Sequence, residues 1–70
     1  MRTVLYVKPG CPYCQAAREH LAGEELEERD ATADQDFKDE LMGYTNGSGV
    51  VPTIVRPGGE VQVGFPPGRG

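Results

Sequence analysis

The sequence is poor in the residues that most often form cross-links and metal sites. Its 70 residues include only two cysteines, one histidine and no tryptophan. Two cysteines allow one disulfide at most, so a framework of several bridges is excluded. Together with the single histidine they supply three of the four ligands that a structural zinc ion needs, so we expect no metal site.

Long apolar runs and an excess of basic residues are also lacking. No apolar run approaches the roughly 18 residues of a membrane span, and the N-terminal one is too short for a signal peptide. With 7 basic and 11 acidic residues the net charge is −4, which disfavours nucleic acid as a partner. We therefore expect one small cytoplasmic domain that binds neither membranes nor nucleic acid.

The acidic residues are concentrated in one part of the chain. Nine of the eleven lie between Glu24 and Glu40. A solvated face that keeps the protein soluble is the simpler interpretation, and a docking patch for a basic partner is the alternative.

The first third of the chain predicts a strand followed by a helix. Residues 3–7 are β-branched and aromatic, as in a buried strand. Pro12 suits the first position of a helix, and Gly23 suits a left-handed cap after its end. Three residues recur on one face of this helix: Cys14, Ala17 and Leu21.

The remainder predicts a strand, a helix and a hairpin. Residues 25–31 form the least regular strand, and Thr32 or Asp34 caps the second helix. Its inward face is expected to comprise Phe37, Leu41, and Tyr44 or Met42. Residues 50–55 and 60–63 flank a Pro-Gly-Gly turn. The order β-α-β-α-β-β predicts an α/β fold with a four-stranded mixed sheet covered by helices.

The chemistry of the chain is concentrated in Cys11-Pro12-Tyr13-Cys14. Two thiols separated by two residues can close and reopen a disulfide. Cys11 is predicted to cap the helix, where the helix dipole and nearby Lys8 favour its thiolate, while Cys14 lies deeper. The helix start is expected to direct Cys11 outward, and Tyr13 to lie at the surface beside it.

Other uses of the cysteine pair are less compatible with the sequence. A buried, inert pair conflicts with the outward direction expected for Cys11. Cysteine-protease chemistry needs a histidine beside the nucleophile, but His20 lies on later turns of the same helix. We therefore interpret His20 as a surface residue.

The chain resembles the glutaredoxin family of the thioredoxin fold in three segments. They are the Cys-Pro-Tyr-Cys motif after the first strand, Val51-Pro52-Thr53 opening the third, and Gly64-Phe65 after the fourth. The resemblance covers residues 1–65 as a glutaredoxin-like domain and leaves residues 66–70 as an irregular tail. The sequence ends five residues after Phe65, so we expect the family's C-terminal helix to be absent, with Phe65 or Val63 partly exposed.

The resemblance assigns a role to each matching position. Cys11 would attack a disulfide and Cys14 would resolve the mixed disulfide. Pro52 would follow a cis peptide bond, and the backbone of Val51 would pair with an extended thiol substrate. Lys8 would meet a carboxylate of glutathione.

One segment departs from the glutathione-using members. They carry acidic residues after the last strand, whereas this chain has Gly64-Phe65 followed by two prolines. That feature is similar to the NrdH-redoxins, which accept electrons from thioredoxin reductase, although they do not usually have Pro-Tyr between the cysteines.

The predicted function is therefore that of a monomeric thiol–disulfide oxidoreductase with no bound cofactor. Disulfide-bearing proteins or glutathione mixed disulfides would be its substrates, and glutathione or thioredoxin reductase its electron donor. Two alternatives stay open: an iron–sulfur cluster carrier bridged by glutathione between two copies, and a redox-sensing interaction module.

Overall fold

The computed structural model describes residues 2–65. They form the elements β1 (Thr3–Val7), α1 (Pro12–His20), β2 (Leu26–Asp30), α2 (Gln35–Tyr44), β3 (Thr53–Val55) and β4 (Val61–Val63). The predicted order β-α-β-α-β-β is thus confirmed. The predictions of an irregular tail and of no C-terminal helix concern residues 66–70, which lie outside the described residues.

The strands form one mixed sheet in the order β2-β1-β3-β4. Strand β1 pairs in parallel with β2 and antiparallel with β3, and β3 pairs antiparallel with β4. Because β1 lies between two strands and carries the most apolar run, its Leu5, Tyr6 and Val7 are buried in the core. This architecture is a thioredoxin-like fold.

Helix α1 begins and ends where the sequence predicts. Pro12 occupies its first turn, and Cys11 is the residue that caps it. Gly23 has a φ of +95° shortly after the end, a conformation that glycine adopts without a steric penalty. The predicted apolar face is buried, with no exposed surface at Cys14, Ala17 or Leu21.

Helix α2 is capped by Asp34, whose carboxylate accepts the Asp36 N–H at 2.8 Å. Leu41 is buried, whereas Phe37 and Met42 are half-buried. Of the two alternatives for the last inward position, the structure favours Met42, since 45% of Tyr44 is exposed and its ring, tilted by 44°, lies 5.8 Å from that of Tyr6.

The hairpin is confirmed, but its strands are shorter than predicted. Residues 50–52 do not join β3, since Pro52 has no N–H to donate to a neighbouring strand. The turn is closed by the Arg56 N–H, which donates to the Glu60 carbonyl at 2.8 Å.

Arg29 on β2 joins the sheet to α2. Its guanidinium lies over the Phe37 ring and forms ion pairs with Glu27 and Glu40. Tyr6 donates its hydroxyl to Glu40 at 2.7 Å. Burial and the bond to Glu40 raise the pKa of Tyr6 to about 12. This network fixes the position of α2, which forms one wall of the candidate site.

Neither helix within residues 2–65 has the length and apolarity that crossing a membrane would require.

Candidate active site

Cys11 caps α1 through its sulfur, which accepts the Cys14 N–H at 3.3 Å. Its thiol also points to the Val51 carbonyl at 4.0 Å. Burial opposes ionisation of Cys11, but hydrogen bonds from the Cys14 thiol and from the backbone of Cys14 and Tyr13 outweigh it. With the charge of Lys8 they leave the pKa of Cys11 below its ordinary value.

Cys14 experiences the opposite environment one helical turn later. It has no exposed surface. Burial, followed by its hydrogen bond to Cys11, raises the pKa of Cys14 to about 11. The two sulfurs are therefore unequal: Cys11 ionises readily, and Cys14 holds its proton.

Cys11 is less exposed than the prediction of an outward direction implies. Only 9% of the residue is exposed, because Val51 packs against it from the segment before β3. What remains opens onto a cavity of about 600 Å³ beside α1, lined by Lys8, residues 9–10, Cys11, Pro12, Gln15 and Arg18. We call this the α1 cavity.

The segment before β3 places the second motif beside the first. The Val51–Pro52 peptide bond is cis, as predicted, and both residues are buried. The Pro52 carbonyl accepts the Gly64 N–H at 2.8 Å. The structure therefore brings together the three segments that the sequence singled out: the cysteine pair, Val51-Pro52 and Gly64-Phe65.

Two aromatic residues near the site are only partly exposed. Tyr13 is half-buried and packs against the core rather than standing free at the surface. Phe65 and Val63 are both half-buried. The Phe65 ring lies 4.9 Å from that of His20. His20 is exposed, as predicted. It lies nine residues after Cys11, which corresponds to about 13 Å along the helix. It is therefore not placed to act as a base for that thiol.

A second cavity, of about 400 Å³, lies between the end of β1 and α2. We call it the α2 cavity; its walls include Lys8, Asp34, Lys38, Met42, Gly49 and Val51. Gly49 has a φ of +65°, and a Cβ added there would lie 2.9 Å from the Met42 Cε. Glycine at this position lets the loop approach Met42 closely.

Lys38 is a candidate that the sequence analysis missed. In the part of the chain that the structure describes, all four arginines form ion pairs, whereas Lys8 and Lys38 form none. Both lysines line the α2 cavity. Their separation by 30 residues gave no signal, because the fold alone brings them to one cavity.

Residues 2–65 contain no group of three or more His, Cys, Asp or Glu side chains placed to hold a metal ion.

A Cys-x-x-Cys pair at the start of a helix, beside a cis-proline in a protein with a mixed sheet, defines a dithiol protein of the thioredoxin fold. Comparison with family models narrows this class. The Glutaredoxin model matches residues 3–61, and the chain belongs to the glutaredoxin family. No curated protein and no solved structure is similar enough to count as a match. Family membership supports a thiol–disulfide oxidoreductase role, while the likeness to NrdH-redoxins stays a prediction.

Proposed function

We propose that the protein reduces mixed disulfides of proteins or glutathione, with Cys11 as the attacking and Cys14 as the resolving thiol. The unequal environments of the two cysteines carry this proposal. A lowered pKa increases the fraction of Cys11 that is thiolate, and a raised pKa keeps Cys14 from competing for substrate.

The reaction has two exchange steps. The Cys11 thiolate attacks one sulfur of the substrate, so a new disulfide forms and the other substrate sulfur leaves as a thiolate that takes up a proton. Cys14 then loses its proton and attacks the Cys11 sulfur, which releases the second substrate thiol. Two electrons have passed to the substrate, and Cys11 and Cys14 are joined by a disulfide.

Glutathione is the electron donor that the α2 cavity favours. Its 400 Å³ is in the range of small-molecule sites, and Lys8 and Lys38 offer two cations without ion-pair partners within residues 2–65. A glutathione carboxylate would bind them while the backbone of Val51 pairs with the peptide. Two glutathione thiols then reduce the Cys11–Cys14 disulfide and leave as glutathione disulfide, in the reducing cytoplasm.

The test follows NADPH consumption by the oxidised protein with either glutathione and glutathione reductase or thioredoxin reductase. Turnover with the first system is expected, and turnover only with the second would refute glutathione as the donor. Cys11→Ser should abolish activity. Lys38→Ala should raise the KM for glutathione severalfold with little change in kcat, whereas Arg56→Gln, whose ion pair with Glu24 is remote from the α2 cavity, should not.

A further inference from the structure

The α1 cavity, unlike the α2 cavity, includes Cys11 itself in its lining. It has a volume of about 600 Å³ and shares only Lys8 with the α2 cavity. Among residues 2–65, its lining includes the cations of Lys8 and Arg18 and no acidic residue, although acids outnumber bases by 11 to 7 in the chain. The electrostatic environment beside the attacking sulfur is thus opposite in sign to that of the whole protein.

Arg18 keeps hydrogen-bonding capacity for a ligand. Its Nε donates to Glu28, the one acid that faces it, and its terminal amino groups donate to no atom of residues 2–65. Both partners are well exposed, with 39% and 42% of their side-chain surfaces accessible. Exposed ion pairs of this kind are weak, so a second carboxylate can bind the free edge of the guanidinium.

The separation of Cys11 and Arg18 along the α1 cavity fits an extended peptide. Cys11 and Arg18 are seven residues apart along α1, which corresponds to about 10 Å. An extended peptide covers that distance in about three residues. A substrate held by Cys11 through its sulfur would therefore bring a side chain two or three residues away to the guanidinium.

We infer that the α1 cavity binds an acidic side chain of a protein substrate, so that the protein prefers disulfides whose attacked cysteine is flanked by Asp or Glu. The inference rests on the proposed function and names its substrate class. The glutathione carboxylate and the substrate carboxylate would occupy separate cavities, which share Lys8 in their linings.

The test uses three peptides that differ only at positions two residues before and after a central cysteine, with Glu, Gln or Lys at both. Each cysteine is joined to thionitrobenzoate, a good leaving group that directs attack to the peptide sulfur. In the Cys14→Ser variant, the Cys11 thiolate bonds to the peptide sulfur as the bond to thionitrobenzoate breaks. The coloured thiolate that leaves measures this step alone.

The Glu peptide should react about 1.5- to 5-fold faster than the Gln peptide, and the Lys peptide more slowly than either. High salt should reduce this ratio. Arg18→Gln should lower it towards 1, and Gln15→Glu, which adds a negative charge to the cavity, should do the same. Arg56→Gln should preserve it. A ratio between two peptides cancels any effect of these variants on the ionisation of Cys11.

Equal rates for the Glu and Gln peptides would overturn the inference, as would a ratio that both cavity variants leave unchanged. In either case the Gln peptide would still release thionitrobenzoate, so the proposed function would stand. Release from none of the peptides would refute the thiol chemistry itself, and the substrate preference with it.

Discussion

Replacing Gly49 by alanine provides a sharp test of how the α2 cavity is built. The residue has a φ of +65°, and its new Cβ would lie 2.9 Å from the Met42 Cε. Gly47 offers a control, because its φ of +84° is also positive while a Cβ there meets nothing within 4 Å. Comparing the two alanine variants separates the free-energy cost of the backbone conformation from the cost of crowding Met42.

The expected magnitudes follow from these two contributions. Placing alanine in the left-handed region costs about 1–2 kcal/mol at either position. At Gly49 the Met42 methyl group must also move, and because it is the end of a flexible side chain this adds about 0.5–1.5 kcal/mol. A domain of this size has only about 3–10 kcal/mol of stability, so both losses are large enough to measure.

Urea unfolding followed by circular dichroism measures both free energies of unfolding. Gly49→Ala should be about 0.5–1.5 kcal/mol less stable than Gly47→Ala, as expected when the end of the Met42 side chain has to move. The difference should disappear when both are made in a Met42→Ala background, which removes the crowding atom. The KM for glutathione should rise only in Gly49→Ala, because Gly49 and Met42 both line the cavity.

Equal destabilisation by the two alanines would refute the close approach of the loop to Met42. A difference that persists without the Met42 side chain would refute it as well.

Three further predictions concern the cysteines and the Tyr6 network. Iodoacetamide should modify Cys11 at neutral pH faster than the same thiol in urea, because its pKa is lowered in the fold, and should leave Cys14 unmodified; equal rates would contradict this. The reduced protein should lose stability as pH rises from 9 to about 11, since Cys14 keeps its proton only when folded, and Cys14→Ser should show a smaller loss in urea titrations. Tyr6→Phe, which removes the hydrogen bond to Glu40, should cost about 1 kcal/mol in the same titrations, and an unchanged value would rule out a stabilising role for that bond.

The local pattern of the sequence was sufficient to predict the order of helices and strands and the residue that caps α1. Pro12 and Cys11 define the start of α1 through interactions within one turn, so their neighbours in sequence specify them. Only part of the asymmetry of the two sulfurs originates in this turn: hydrogen bonds within residues 11–14 help to lower the pKa of Cys11, whereas burial is the main cause of the raised pKa of Cys14.

Features that depend on contacts between distant segments were not predicted. The burial of Cys11 results from Val51, 40 residues away, whose carbonyl meets the thiol. Packing of α2 on the sheet is likewise needed to bring Lys8 and Lys38 to one cavity. The same packing forms the ion pair between Arg29 and Glu40. Periodicity identifies which face of a helix is apolar, but it does not say which charged residues meet across elements.

The sheet order gives part of the acidic segment a role in keeping separate molecules apart. In the sheet formed by residues 2–65, strand β2 is an outer strand, and its edge without a neighbour there could otherwise serve as a template for a strand of another molecule. It reads Leu-Glu-Glu-Arg-Asp, so any such pairing would have to place charges beside a foreign backbone. The other outer strand, β4, carries two valines but extends over only three residues. The protein thus resists edge-to-edge aggregation by charge on one side of the sheet and by brevity on the other.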